Sequence, residues 1–493
     1  MSRRVAIIGA GFGGLALAIR LQSAGLQTTL IEGRDKPGGR AYVWEQDGFT
    51  FDAGPTVITD PACLEELFTL SGRKIADYVT MSSVSPFYRL LWDDGTKFDY
   101  VNDQAELDRQ IAALNPADVE GYRRFLKFSE QVYDEGYKRL GHVPFLKITD
   151  MLAAAPELMR LQAWRSVYAK VASSVKDDHL RQALSFHTLL VGGSPFASSS
   201  IYALIHALER DGGVWFPHGG TGALVKALVK LFEDLGGRLL LSDPARKIVT
   251  EGERVTGVAH ADGTFEGFDA VASNADIVHT YDTLLKDSAR GRSVARSLKR
   301  RSFSPSIFLV YFGLKRQHPE MAHHTICFGP RYKGLIDEIY GKDGLADDFS
   351  LYLHAPSVHD PSVAPPGCSA YYALSPVPHL GTANIDWDAE GPRYRDRILD
   401  YLDARHIPGL KADLVTSRIF TPKDFQRELN AWQGSAFSLE PVLTQSAWFR
   451  THNRDDVIGN LYFVGAGTHP GAGVPGVVGS AKATAGLMIA DLT

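Results

Sequence analysis

The spacing of hydrophobic and polar positions changes several times along this chain, and the changes divide it. Val5–Ile8 is a short apolar run rich in β-branched residues and predicts a buried parallel strand. Leu15–Leu21 then carries apolar residues at helical spacing, Gly25 ends that helix, and Thr28–Ile31 predicts a second strand closed by Glu32. Residues 60–214 lose this strand–helix–strand alternation and read as mostly helical. The alternation returns with a helix from Ala223 to Leu235, stopped by Gly236-Gly237. A strand Arg238–Leu241, a hairpin at Val255–Val258 with its Asp262-Gly263 turn, and the run Phe268–Ala275 follow. Ser302–Leu314 and Tyr371–Leu374 are strand-like, Ile398–Leu402 is helical, and Pro356, Pro361, Pro365, Pro366 and Pro376 mark loops between them. A last strand, Leu461–Val464, leads into the helix Val477–Met488. The pattern predicts one discontinuous αβ domain from residues 1–60, 215–290 and 452–493, interrupted by 61–214 and 291–451.

The turns in the αβ parts carry the chemistry. Gly9, Gly11 and Gly14 follow the first strand at the spacing G-x-G-x-x-G, with the helix and Glu32 in the positions a Rossmann dinucleotide site requires. Gly9 makes the turn, Gly11 lets backbone approach a pyrophosphate, and Gly14 lets helix and strand pack closely. The pyrophosphate belongs on the helix N-terminus, where free N–H groups and the dipole favour an anion. Glu32 accepts from a ribose diol and repels a 2′-phosphate, which disfavours NADP. Arg3 and Arg4 ahead of an apolar run, with Ala24-Gly25 behind it, imitate a signal peptide; the three glycines and Arg20 inside the run oppose that reading. At the other end, Gly465, Gly467, Thr468 and Gly476 precede Val477 in a second glycine-rich turn. Such a turn lets backbone lie against a large planar ligand, and the N-terminus of the last helix stabilises negative charge there. A long dinucleotide with a planar ring at its far end needs two cradles far apart.

Arg34-Asp35-Lys36-Pro37-Gly38-Gly39-Arg40 resembles the second flavin-binding motif of the amine oxidase and phytoene desaturase superfamily. The resemblance implies that Gly38 and Gly39 pass close to FAD, that Arg40 meets its phosphates, and that Gly54-Pro55-Thr56 lies near the flavin ring. It also implies that the strand Ala245–Val249, centred on Ile248, touches the adenine side. Phe186–Leu208 and Gly434–Arg454 are very similar to stretches of the bacterial-type phytoene desaturases, and that similarity extends over essentially the whole chain. The implied fold is α/β: a Rossmann-like FAD-binding domain interrupted by a mixed α+β substrate domain and a helical membrane-facing region. The implied activity is stepwise desaturation of phytoene, most often to lycopene, with membrane quinone or oxygen as final electron acceptor. The implied location is the cytoplasm, at the membrane periphery. A carotenoid isomerase or ketolase and a flavin amine oxidase share the flavin half of the pattern. A prenyl-binding GDP-dissociation inhibitor shares the fold but has no use for the C-terminal glycine cradle.

Composition narrows this further. The 493 residues are 44% hydrophobic and 22% charged with net charge −5, which disfavours general affinity for nucleic acid. Cys63, Cys327 and Cys368 are far apart, so neither a disulfide framework nor a structural zinc is expected; His323-His324 is a ligand pair by composition only and reads rather as a solvated loop. No uncharged stretch is apolar enough to predict a spanning helix. Around Val143–Val175, Thr149-Asp150 predicts a helix cap, with Asp150 also the candidate catalytic acid or base, and Pro156 predicts a kink or restart. A helical wheel puts Leu161, Trp164, Val167, Tyr168 and Val171 on one face, a core face or a surface that dips into a bilayer. Phe186–Leu208 holds no acidic side chain, Lys or Arg and predicts core or an apolar cavity wall, with His187 and His206 as core histidines.

Overall fold

The computed structural model describes residues 3–342 and 344–493. Five parallel strands form the first sheet, in the spatial order Leu461–Phe463, Ala270–Ser273, Arg4–Ile8, Gln27–Ile31, Arg238–Leu240. The opening strand is therefore central, flanked by the nearby Gln27–Ile31 on one side and by Ala270–Ser273, from far along the chain, on the other. Its side chains, like those of the helix Phe12–Ser23, are buried from Val5 onward, as parallel strands covered by helices require. That helix packs against the C-terminal helix Val474–Leu492 and against Thr221–Asp234. Gly14 lets the helix sit close on its own glycine turn: a Cβ there would stand 2.0 Å from the carbonyl of Gly9. A three-stranded antiparallel sheet, Lys247–Glu251, Arg254–Ala259 and Phe265–Gly267, flanks this layer.

A second sheet has seven strands in the order Leu414–Phe420, Ser306–Leu314, Ser369–Val377, Leu351–His354, His324–Phe328, Tyr88–Trp92, Lys97–Tyr100. It is antiparallel except where His324–Phe328 runs parallel to Tyr88–Trp92. The last two strands lie within 61–214, so that stretch is not simply helical. It completes the sheet of 291–451, and both segments contribute to one aromatic-rich core.

The Val143–Val175 region departs from the helical wheel. The helix Ile148–Arg160 runs through Pro156 without a break, then turns at Gln162 (φ 54°), and Val167–Ala172 starts a new helix. Leu161, Val167 and Val171 are buried, whereas Trp164 is 63% exposed, so the predicted common face does not exist. The exposed apolar side chains are instead Ile148, Leu152 and Met159, spaced by four and seven on the first helix, with Trp164 just beyond it. Among the described residues, no helix is long and apolar enough to cross a membrane.

Candidate functional site: one cavity with a polar and an apolar half

A cavity of about 1120 Å³ runs between the two sheets. One half passes Gly9, Gly11, Glu32, Gly39 and Arg40, then Gly54, Pro55 and Thr56, and reaches Gly476 and Val477. The other half is apolar, with Phe186, Leu189, Leu190 and Leu208 on one side and Ile326, Phe328, Leu335 and Ile336 on the other. The expected apolar lining Phe186–Leu208 is present, and from Gly434–Arg454 Ala436 and Phe437 join it. The helix Tyr332–Tyr340 and the strand His324–Phe328 supply the opposite wall.

Two helices point their N-termini into the polar half. Phe12–Ser23 and Val474–Leu492 begin at Gly11 and Gly473, with no side-chain cap and no acidic residue in the first turn. The helix Thr221–Asp234 is the internal contrast. Its first N–H groups, on Thr221 and Gly222, donate to the buried Asp52 carboxylate at 2.9 and 3.2 Å. Burial raises Asp52 to about 6, and those donors pull the other way. This helix start is covered by a carboxylate, whereas the two that face the cavity are left open, as an anion or electron-rich ligand requires.

Glu32 closes one end. Its Oε2 accepts from the N–H of Ala10 at 2.8 Å and its Oε1 from that of Arg34 at 2.9 Å, which fixes the carboxylate and leaves a further lone pair on each oxygen. Arg40 lines the cavity and donates through Nε to the carbonyl of Ala436. Burial lowers its pKa, and Asp276 opposes that shift. Asp276 Oδ1 accepts from Val278 and His279, while its buried Oδ2 has no partner. The Gly54–Thr56 loop is held from the seven-stranded sheet. Tyr311 donates to the carbonyl of Ala53 and Tyr372 to that of Gly54, both at 2.9 Å. Thr56 Oγ1 lies 2.8 and 2.6 Å from the hydroxyls of Tyr352 and Tyr372. Burial pushes all three phenols up, so they remain protonated hydrogen-bond donors.

Other predicted residues take supporting positions. Gly14 is packed beneath the turn against Gly9. Ile248 is buried in the core beside Ile31 and Val258, and Pro244, Ala245 and Arg246 form the cavity wall at that point. Gly465, Gly467 and Thr468 also stand behind the surface: Thr468 Oγ1 donates to the carbonyl of Gly465 at 3.0 Å and pairs with Ser480 Oγ at 2.6 Å. Asp150 lies in the first turn of the helix Ile148–Arg160, accepts from the N–H of Lys147 at 3.0 Å, and does not line the cavity. His206 is a partnered core histidine, 3.0 Å from Tyr100 Oη and 3.2 Å from Tyr122 Oη. His187 Nε2 stands 3.1 Å from the carboxylate of the buried Glu209. His323 and His324 are buried rather than solvated.

Several residues escaped the sequence reading. Asn274 bridges the first and last glycine turns, and Arg450 donates to the carbonyls of Ala466 and Leu439 at 2.6 and 3.1 Å beneath the C-terminal turn. Neither belongs to a recognisable motif. The three loop-pinning tyrosines sit in strand-like runs, where an aromatic residue reads as core.

The polar half suits FAD: open helix starts lie at both ends, an acid stands where a ribose belongs, and Asp276 Oδ2 and the Arg40 head are available. The comparisons agree. Residues 12–489 match the model of the flavin containing amine oxidoreductases. The wild-type putrescine oxidase structure bound to putrescine superposes with a TM-score of 0.65 at 17% identity, covering 99% of each chain, a likeness of fold. The phytoene desaturase (lycopene-forming) of Pseudescherichia vulneris is 64% identical over 490 residues, 99% of this chain and 100% of that protein. The protein of the same name from Pantoea ananas is 63% identical over 486 residues, 99% of each. The chain therefore belongs to the flavin containing amine oxidoreductases and, within them, to the phytoene desaturases.

Proposed function

We propose that this chain removes hydrogen stepwise from phytoene to form lycopene, using FAD. The observation that carries this reading is the continuity of the polar cradle with a long apolar chamber in one cavity. A small polar amine would leave that chamber unfilled, whereas a C40 polyene occupies it. Bound FAD supplies the hydride acceptor. Gly11 and Gly473 hold the two open helix starts against it, and Glu32 and Arg40 address its ribose and phosphates. Ile248 and Thr468 act from behind the wall by shaping its surface. The tyrosine-pinned Gly54–Thr56 loop fixes the floor on which the two halves meet.

Phe186, Leu189, Leu190, Ile326, Phe328 and Leu335 exclude water, so the allylic cation left by hydride loss meets no nucleophile. Its charge spreads along the polyene, and loss of the neighbouring proton needs no strong base. Apolar burial holds the substrate at about 25 cal/mol per Å² as an upper bound and gives little register along a repetitive chain. Repeated desaturation by one site follows from that weak register.

The substrate resides in a bilayer. The exposed stripe Ile148, Leu152 and Met159, with Trp164, supports peripheral attachment at the cytoplasmic membrane face, where a quinone, or oxygen, takes the electrons. The test is expression in cells that make only phytoene, followed by chromatography of the pigments. Lycopene with partly desaturated forms at early times is expected. Phytoene alone, with FAD bound and membranes supplied, would reject the reading in favour of an amine oxidase; a changed isomer or an oxygenated pigment would favour an isomerase or ketolase.

A further inference from the structure

Away from the flavin cradle, His323, His324 and His354 converge in the seven-stranded sheet. They are 1%, 0% and 1% exposed. His324 and His354 are register partners on adjacent antiparallel strands, with stacked rings 5.4 Å apart. The ring of His323 lies edge-on to both, at 4.5 and 4.8 Å. One nitrogen of each residue lies within 4.8 Å of the other two. His323 Nε2, His324 Nε2 and both nitrogens of His354 have no hydrogen-bond partner. Buried polar atoms left this way are destabilising, and several meeting at one point call for something polar between them.

Outer contacts occupy one nitrogen on two of the rings. His324 Nδ1 is 2.7 Å from the hydroxyl of Tyr352, and His323 Nδ1 is 3.0 Å from His359 Nδ1. Both contacts occupy Nδ1 and leave Nε2 free, as for imidazole ligands oriented by a neighbour on the far nitrogen. Burial first, then the nearby imidazoles, hold all three rings well below the ordinary histidine pKa, so they are neutral at neutral pH. Three neutral imidazoles without a carboxylate suit Zn²⁺ and its first-row neighbours rather than Ca²⁺ or Mg²⁺.

We propose that His323, His324 and His354 bind one Zn²⁺-class ion through three ring nitrogens, with a water as fourth ligand. Zn–N bonds of about 2.0–2.1 Å place tetrahedral ligands about 3.4 Å apart, so small ring rotations draw the nitrogens together on binding. The ion would tie the loop before His324 to the strands His324–Phe328 and Leu351–His354. It would also set Tyr352, which carries the bond to Thr56 at the cavity floor.

The test uses untagged, flavin-loaded protein from zinc-supplemented cells, freed of loose metal and analysed by mass spectrometry. About one zinc per chain is expected. His324→Gln and His354→Gln should lower this about tenfold or more, and His142→Gln, at an exposed position, should not. Co²⁺ titration of the unaltered chain covers the case in which those variants fail to fold, since a four-coordinate nitrogen site gives strong visible bands that Zn²⁺ abolishes. Folded wild-type protein with below about a tenth of an equivalent of zinc and no Co²⁺ bands would overturn the proposal and leave an ordered water among the rings. Equal zinc in wild type and both ligand variants would overturn it as well. Neither result depends on which carotenoid the enzyme takes.

Discussion

The side-chain nitrogen of Asn274 donates to the carbonyl of Gly9 at 3.2 Å, while its oxygen faces Gly13 and Gly465 so closely that a Cβ on either would stand 2.6 or 2.5 Å from it. One amide, just past the strand Ala270–Ser273, thus sets the spacing of two glycine turns that lie about 450 residues apart in sequence. Asn274→Ala removes that hydrogen bond and opens a gap between the turns. A loss of about 1–2 kcal/mol in stability is expected, together with reduced flavin content. Thermal unfolding and the flavin-to-protein absorbance ratio measure the two effects. Unchanged flavin content would show that the turns hold their spacing without Asn274.

Arg40→Ala should weaken FAD binding by about 1.5–3 kcal/mol, the range for a charge-assisted hydrogen bond, and also lower apoprotein stability, because Arg40 donates to the carbonyl of Ala436 and faces the buried Asp276. Glu32→Ala should do both kinds of damage, because Glu32 also accepts from the backbone of Ala10 and Arg34. Glu32→Gln separates them by keeping one acceptor. Equilibrium titration of apoprotein with FAD gives the affinities, and equal affinity for Arg40→Ala and wild type would remove Arg40 from the cradle.

Burial raises Glu440 to about 7 from 4.5. A carboxyl whose folded pKa is raised is most favourable to the fold when protonated, below its unfolded value. That contribution is lost as pH rises from about 4.5 to about 7. Glu440→Gln, which imitates the neutral acid, should therefore raise the melting temperature at pH 8 and leave it nearly unchanged at pH 4.5. Melting curves at both values are the check; an equal gain at both would mean that burial of Glu440 is not what shifts it.

Gly192 has φ 77°, and a Cβ there would lie 2.6 Å from that of Phe437. Gly192→Phe is therefore expected to abolish folded protein instead of shortening the chamber. Leu190→Trp, at a half-buried position on the cavity wall, should shorten it while keeping flavin. The expected outcome is a shift toward less desaturated pigments at wild-type flavin content, followed by chromatography over time.

Leu152→Asp with Met159→Asp breaks the exposed stripe without touching the buried Leu161. Liposome flotation should fall severalfold while activity on detergent-dispersed substrate persists. Flotation equal to that of wild type would place membrane contact elsewhere.

What was legible in the sequence is what is local. The run from Val5 to Glu32 contains its own strand, turn, helix and acid, and Gly465–Val477 carries its own turn and helix start. What was hidden depends on distant partners. Tyr88–Trp92 is a short strand whose parallel neighbour is Thr325–Phe328, too far along the chain for any window to see. The only signal in reach was the Asp94-Gly95 turn between it and Lys97–Tyr100. The wheel drawn from Leu161 to Val171 failed because Gln162 takes a left-handed conformation that a helical period does not encode. His323-His324 looked like loop because its polarity is visible and its burial is not. Ile248 lies on the strand Lys247–Glu251, whereas the cavity is met by Pro244–Arg246 just before that strand, two residues short of Ile248.

The strand order of the first sheet also has a consequence for biosynthesis. Arg4–Ile8 leaves the ribosome about 450 residues ahead of Leu461–Phe463, at the sheet's edge beside Ala270–Ser273. At about 5–20 residues per second, the nascent chain waits roughly 20–90 s between them. During that wait the opening glycine turn exists without its C-terminal counterpart. The cradle is therefore complete only once residue 461 and the turn after it are made, and a chain cut before that point is expected to keep the dinucleotide fingerprint yet hold no flavin.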